Sequence, residues 1–310
     1  MVTRAKTELH LVRCTSGDVT VGLEVDRIAA VERGDRLVRR PTDAAPGLLR
    51  TPAGEWPVFA LSRWLGGGRA TTAGQVVLFD AAHGRIGVLV DRVSPVERVP
   101  HEIVVPVPAS AGARAAQMFS CVALTAAGPL VVLAADSLGA PVRHVAAVAP
   151  VTPSAGRAGS AVGTDRLLTF GRTEHPHPGG RAVVFAIPVG LVAEVYDPPP
   201  GARLPGAEAH VRELVVWRER PLVVIDAARW VGLHDRAPGA RRVVVARSGE
   251  TAVGLFAGPV VQVLAGALPC VPSRHKVCAN GPNVSATLDT SDQTVVIPNW
   301  SRLLGAAAGG

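Results

Sequence analysis

At 310 residues, with 48% of them hydrophobic, the chain is long enough for two domains with sizeable cores. Its net charge of +7 is almost all arginine, dispersed with pairs only at Arg39–Arg40 and Arg241–Arg242, which argues against a basic nucleic-acid tail and fits the codon usage of a GC-rich genome. Four cysteines without a Cys-x-x-Cys pair, and an opening MVTRAKTELH without an apolar run, argue against a disulfide framework or a secretory leader and for a reducing cytosol.

The 33 glycines and 26 prolines suit many turns between short strands. The first clear element is DVTVGLEV (18–25), where Val19, Val21, Leu23 and Val25 alternate with Asp18, Thr20, Gly22 and Glu24 as a half-buried strand does. DRIAAVERG and a polar loop follow. WPVFAL reads as an apolar strand and SRWLGG as a helical turn closed by glycine. QVVLFDAAHGRIGVLV (75–90) reads as a hairpin around His83-Gly84, and CVALTAAGPLVVLAAD (121–136) as a second pair of runs around Gly128-Pro129.

The same order then recurs. AVVFAIPV (182–189) is a strand, GLVAEVYDPPPG enters a proline-rich loop, and VRELVVWRERPLVVID (211–226) is apolar with a charged interruption. AARWVGL is the short turn, RRVVVARSGETAVGLF (241–256) a hairpin around Ser248-Gly249, and VSATLDTSDQTVVI (284–297) another. The landmarks keep nearly one offset: Gly66 to Gly232 is 166 positions, Gly87 to Gly254 is 167, and Val131 to Val295 is 164. The chain therefore divides as a first domain over 1–140, a linker over 141–165, a second domain over 166–306 and a tail over 307–310. A flexible linker of that length has an r.m.s. span on the order of 25–30 Å.

The uncharged stretch from Thr251 to Ser273 has the length of a membrane span. It contains Pro259, Pro269, Pro272 and Gln262, and its first part aligns with RIGVLVDRV (85–93), which carries Arg85, Asp91 and Arg92. Two buried strands with a turn are expected there, with no membrane insertion. Short strands, glycine turns and the lack of long amphipathic helices make each copy an all-β unit, for which small barrels hide the strand edges.

Each copy resembles a CheW-like domain, the coupling module of bacterial chemotaxis arrays. In copy one the residues that carry this are Gly47, Leu48 and Leu49, then Pro57, Val58 and Phe59, then Leu65-Gly66. In copy two they are Leu214, Val215, Trp217 and Arg218, then Val224, Ile225 and Asp226, then Val231-Gly232. The family's early Val-x-x-Val resembles Ile28…Val31 and Val192…Val195, its Val-Asp block resembles IGVLVDRV (86–93), and its terminal block resembles NWSRLL (299–304). The copies depart in different places. The family's Arg-Gly is Pro52-Ala53 in one and Arg218-Glu219 in the other. Its Asp is Ala60 in one and Asp226 in the other, and Val90-Asp91 is replaced by Ala257-Gly258.

The resemblance implies two five-stranded SH3-like barrels per domain and a non-enzymatic adaptor that couples the cytoplasmic tip of chemoreceptors to the regulatory domain of a CheA-type histidine kinase, in the cytoplasm beside membrane receptor arrays and without a cofactor. The candidate partner-binding residues are Ile28, Val31, Leu49, Asp91, Val192, Val195, Trp217, Arg218 and Asp226. The apolar members fit a groove that receives helix residues, or a core. Arg218 fits a bidentate bond to a partner carboxylate, an internal pair with Asp226 or Glu219, or a solvated loop. Asp226 fits an N-cap for the turn that follows, with Asp91 in similar turn work, and Trp64 and Trp230 fit core plugs whose indole N–H reaches a backbone acceptor. Two other function classes are a basic β-barrel that binds nucleic acid, for which aromatic platforms are few, and a metal or thiol enzyme at Cys270…His275…Cys278, whose spacing matches no usual zinc pattern.

Overall fold

A computed structural model describes residues 8–41, 47–52, 54–65, 74–81, 84–137, 166–173, 182–233, 241–258, 261–265, 282–290 and 293–308. By contacts the chain divides into two compact units: Met1–His144 with Pro200–Ala207 and Leu214–Pro221, and Val145–Pro199 with Glu208–Glu213 and Leu222–Gly310.

The first half holds β1 (Glu8–Ser16), β2 (Val19–Glu24), β3 (Ile28–Arg33), β4 (Leu37–Arg39), β5 (Gly47–Thr51), β6 (Gly54–Ala60), α1 (Leu61–Trp64), β7 (Gln75–Ala81), β8 (Gly84–Val90), β9 (Arg92–Val93), β10 (Glu97–Pro100), β11 (Val104–Val105), α2 (Ala113–Met118), β12 (Phe119–Thr125) and β13 (Gly128–Leu133). The second half holds β14 (Arg166–Thr173), β15 (Ala182–Pro188), β16 (Val192–Tyr196), β17 (Val211–Trp217), β18 (Arg220–Ile225), α3 (Ala227–Trp230), β19 (Val243–Ser248), β20 (Thr251–Phe256), β21 (Val261–Ala265), β22 (Val284–Asp289), β23 (Gln293–Pro298) and α4 (Trp300–Ala308). The fold is all-β with short helices, as the alternation and turn residues imply.

Each half makes two sheets, and the strand order repeats. The first sheet runs β10-β1-β2-β13-β12-β11 with β9 also on β1, and the third runs β21-β14-β15-β23-β22. The second runs β3-β7-β8-β6-β5-β4, and the fourth β16-β19-β20-β18-β17. The parallel pairs fall at matching places: β2 with β13 and β15 with β23, β6 with β8 and β18 with β20.

The sheets of the first half are closed by the chain itself. β3 and β4 lie at opposite ends of the second sheet, yet only the 3-10 turn Gly34–Arg36 separates them. Six flat strands would hold those edges about 24 Å apart. Four Cα steps reach at most about 15 Å. The sheet must therefore curl to bring its edges within that reach. The turn His101–Ile103 does the same for β10 and β11 in the first sheet. In the fourth sheet Ala202 bridges Leu214 of β17, with N–H···O distances of 2.8 and 2.7 Å in the two directions, and takes the place that β4 holds in the second.

The interior of the second sheet is filled by Leu49, Trp56, Val58, Val76, Leu78 and Leu89, and that of the first by Leu11, Val99, Ala123, Leu130 and Val132. Such a narrow barrel needs one inward position without a side chain. A Cβ on Gly87 would lie 2.9 Å from Val58, 3.0 Å from Val76 and 3.1 Å from Leu78. On Gly254 it would lie 3.0 Å from Val243, 3.1 Å from Val224 and 3.2 Å from Leu222. The uncharged stretch contributes β20 and β21, two strands as expected; residues 266–273 lie outside the described ones. Among the described residues no helix is long and apolar enough to cross a membrane.

Two expected outcomes follow from this packing. Gly87→Ala and Gly254→Ala each overpack a barrel and lower stability by about 1–3 kcal/mol in urea unfolding. Glu219→Gly does the opposite. Arg218 and Glu219 form the two-residue turn between β17 and β18 with φ of 48° and 61°, where non-glycine residues are strained by roughly 1–2 kcal/mol each. Less the extra chain entropy of glycine, the gain is about 0.5 kcal/mol, read as a raised urea midpoint.

Candidate partner-docking site

The candidate residues fall into framework and surface. Leu49 is fully buried in the second sheet's interior, opposite Trp56, so it fills core and offers a partner nothing. Asp226 is also buried. Its Oδ1 accepts from the backbone N–H of Ala228 at 3.0 Å and of Arg229 at 3.2 Å, which makes it the N-cap of α3. Its Oδ2 lies 3.6 Å from Arg229 and 3.9 Å from Arg212, and Arg212 lies over the Phe256 ring at 3.6 Å. Asp91 is exposed, and its Oδ2 accepts the N–H of Gly17 at 2.6 Å, where the β1–β2 turn has φ +62°. Both aspartates do the turn work that their positions suggested.

The remaining residues face outward. β3 and β16 hold the same edge position in the second and fourth sheets. Each carries a bulge at its start, between Ile28 and Ala30 and between Val192 and Glu194. Ile28 and Val192 are half-buried, whereas Val31 is 43% exposed and Val195 38%. Around Val31 the charges pair with each other, Arg36 with Glu32 and Arg33 with Asp35, both at 2.5 Å. Near Val195, Arg242 pairs with Asp197 at 3.1 Å and holds that carboxyl below its usual range. Arg218 stands at the tip of the β17–β18 hairpin, exposed, with its guanidinium 4.8 Å from the Trp217 ring centroid. The candidates thus fall on two edge strands, β3 and β16, and on the tip of the β17–β18 hairpin.

Sequence reasoning missed His210. Its side chain is 14% exposed, its ring meets Trp230 edge-on at 4.6 Å, its Nδ1 lies 3.5 Å from Glu208, and its carbonyl accepts the N–H of Asp226 at 2.8 Å. Burial pushes its pKa down, against the pull of Glu208 and Asp226. A lone His in a proline- and glycine-rich loop carries no signal of this in the sequence. The expectation for Trp64 and Trp230 is corrected. Their indole nitrogens are buried with no hydrogen-bond partner among the described residues, and the Trp230 ring packs on His210 instead.

All twelve aromatic residues are described, and none is exposed: the rings are core or half-buried. Thiol chemistry is suppressed in the described cysteines. Burial pushes the Cys14 thiol up to about 12 and raises Cys121 as well. The Cys270…His275…Cys278 cluster lies outside the described residues. Among the described residues no group of three or more His, Cys, Asp or Glu could hold a metal ion.

Comparison with known proteins gives one family. The model of the CheW-like domain matches this chain twice, over residues 10–140 and 179–308. Among solved structures, the scaffolding protein TtCheW from Thermoanaerobacter tengcongensis is 14% identical, over 43% of this chain and 90% of its own, with a TM-score of 0.38. No curated protein matches.

Asp226→Ala removes an N-cap and is expected to cost about 1 kcal/mol in urea unfolding. His210 sets a pH dependence. Its folded pKa lies below the ordinary 6.5, so as pH falls the unfolded chain takes up the proton first and stability is lost progressively below that value. His210→Phe is expected to flatten the fall in melting temperature between about pH 7.5 and 5.5 that wild type shows; an unchanged slope contradicts the burial of this group.

Proposed function

The chain belongs to the CheW-like domain family, and we propose that it is a tandem coupling scaffold of bacterial chemotaxis signalling, acting by binding energy alone. Its first domain is 1–140 and its second 166–306, joined by the linker 141–165 and followed by the tail 307–310. One partner is the cytoplasmic tip of a chemoreceptor, and another is the regulatory domain of a CheA-type histidine kinase. It works in the cytoplasm beside receptor arrays, without a cofactor and without entering the membrane.

The observation that carries this reading is the double family match, which spans both halves. The surface chemistry supports it. Many of the arginines that raise the net charge pair with carboxylates of the same chain, as Arg13 does with Glu97 at 2.8 Å and Arg241 with Glu213 at 2.6 Å. No exposed ring offers a stacking platform for bases. What remains outward is apolar strand edge, with Trp217 and Arg218 at a hairpin tip, residue types enriched where proteins bind proteins. Ile28, Val31, Val192, Val195, Trp217 and Arg218 are the binding set, and Asp91 and Asp226 serve by holding turns, at Gly17 and at the start of α3.

The test is direct binding of the full chain to a purified chemoreceptor tip fragment and to a CheA regulatory domain by calorimetry. Binding of either below about 100 μM supports the reading, and silence from both at that concentration overturns it. Arg218→Ala is expected to weaken the receptor fragment about tenfold, the usual scale for an exposed arginine anchor.

A further inference from the structure

We infer that the second half carries a carboxylate-binding site that the first half lacks: Arg212 and Arg229, gathered by the buried Asp226, receive an aspartate or glutamate side chain of a protein partner. This deepens the scaffold reading above and rests on it. Arg212 stands near the start of β17, Asp226 directly follows β18, and Arg229 lies in α3. Both guanidinium groups approach one oxygen, Asp226 Oδ2, at 3.9 Å and 3.6 Å. The Asp226 side chain is 9% exposed, while both arginines are exposed.

These charges do not close on each other. Arg13, Arg241 and Arg242 meet their carboxylates at 2.8, 2.6 and 3.1 Å, within hydrogen-bond reach. Arg27, Arg85 and Arg247 stand 3.6 Å from their acids, but those acids are exposed and water completes them. At Asp226 the acid is buried and each arginine is held off by a contact of its own. Arg212 lies over the Phe256 ring, 3.6 Å from its centroid, and Arg229 donates to the Ala209 carbonyl at 3.4 Å. Oδ1 of Asp226 is spent on the N–H groups of Ala228 and Arg229. Among the described residues the Arg212 side chain makes no hydrogen bond and that of Arg229 makes one. Most of the five N–H donors on each guanidinium are therefore unspent.

Charge and spacing select the occupant. Two guanidinium groups face one carboxylate, and Glu208, the acid next along, faces His210 at 3.5 Å instead. One added carboxylate balances the trio, whereas a phosphate dianion is repelled by Asp226. The two arginine nitrogens are separated by no more than the sum of their distances to Oδ2, about 7.5 Å. One carboxylate spans that gap with bonds of about 2.7–2.9 Å. Because Phe256 and Asp226 hold Arg212 in place beforehand, little side-chain freedom is lost on binding. The first half cannot do the same. Ala60 stands in the place of Asp226, Leu89 in that of Phe256 and Pro46 in that of Arg212, and only Arg63 matches Arg229.

The test is calorimetry of the full chain with two probes, a purified chemoreceptor tip fragment and a CheA regulatory domain. Arg212→Gln and Arg229→Gln are each expected to weaken one probe about tenfold and to flatten its salt dependence, with Arg247→Gln unchanged. Replacing the acidic residues of that probe one at a time by Gln or Asn is expected to find one that reproduces the loss and adds nothing to it in the Arg212→Gln chain. If Arg212→Gln melts early, Arg229→Gln carries the test alone. Unchanged affinity in the Gln variants overturns the inference while the scaffold reading stands. So does competition by inorganic phosphate at matched ionic strength, which assigns the site to phosphoryl groups. No binding of either probe by wild type overturns both readings.

Discussion

The structure depends on a steric constraint: a six-stranded sheet whose two edges are joined by a single 3-10 turn cannot stay flat. Gly34–Arg36 and His101–Ile103 impose it in the first half, and the Ala202–Leu214 bridge gives the fourth sheet the same extra partner. Curling brings the two edge strands of each first-half sheet within reach of one short turn. It also makes each interior narrow, and Gly87 and Gly254 answer that at the same place in both halves.

The described surface offers exposed valines on the edge strands β3 and β16 and a Trp–Arg pair on one hairpin. The two halves share the valines and differ in the hairpin. In the second half the turn is Arg218-Glu219, held at positive φ without glycine, and Arg218 rests on Trp217. In the first, the corresponding turn is Pro52-Ala53, and the cation beside it, Arg85, comes from β8, with its guanidinium 5.4 Å from the Trp56 ring centroid.

Much of this was legible in the sequence. Val19, Val21 and Leu23 alternate because one face of β2 is core, and the paired apolar runs became β7–β8, β12–β13, β19–β20 and β22–β23. β1 was illegible because Cys14 and Ser16 stand inward where hydrophobes would announce a strand. β14 hides likewise behind Thr169, buried with its hydroxyl donating to the Gln262 carbonyl at 3.2 Å. Leu49 stood among the partner-binding candidates because an apolar strand residue carries no mark of which way it faces; it is fully buried in the second sheet's interior opposite Trp56. The 3-10 turns that join the sheet edges left no signal, since Gly-Asp-Arg and His-Glu-Ile look like any polar loop. His210 depends on Trp230, twenty positions away, which no local pattern shows.

Amide hydrogen exchange with and without a chemoreceptor tip fragment puts the account to its most direct test, because it reads both halves of the same chain at once. New protection is expected together in Ile28–Arg33 and Val192–Tyr196, with the barrel interiors around Val58 and Val224 unchanged. Protection confined to segments far from both strands would contradict recognition through these closed barrels.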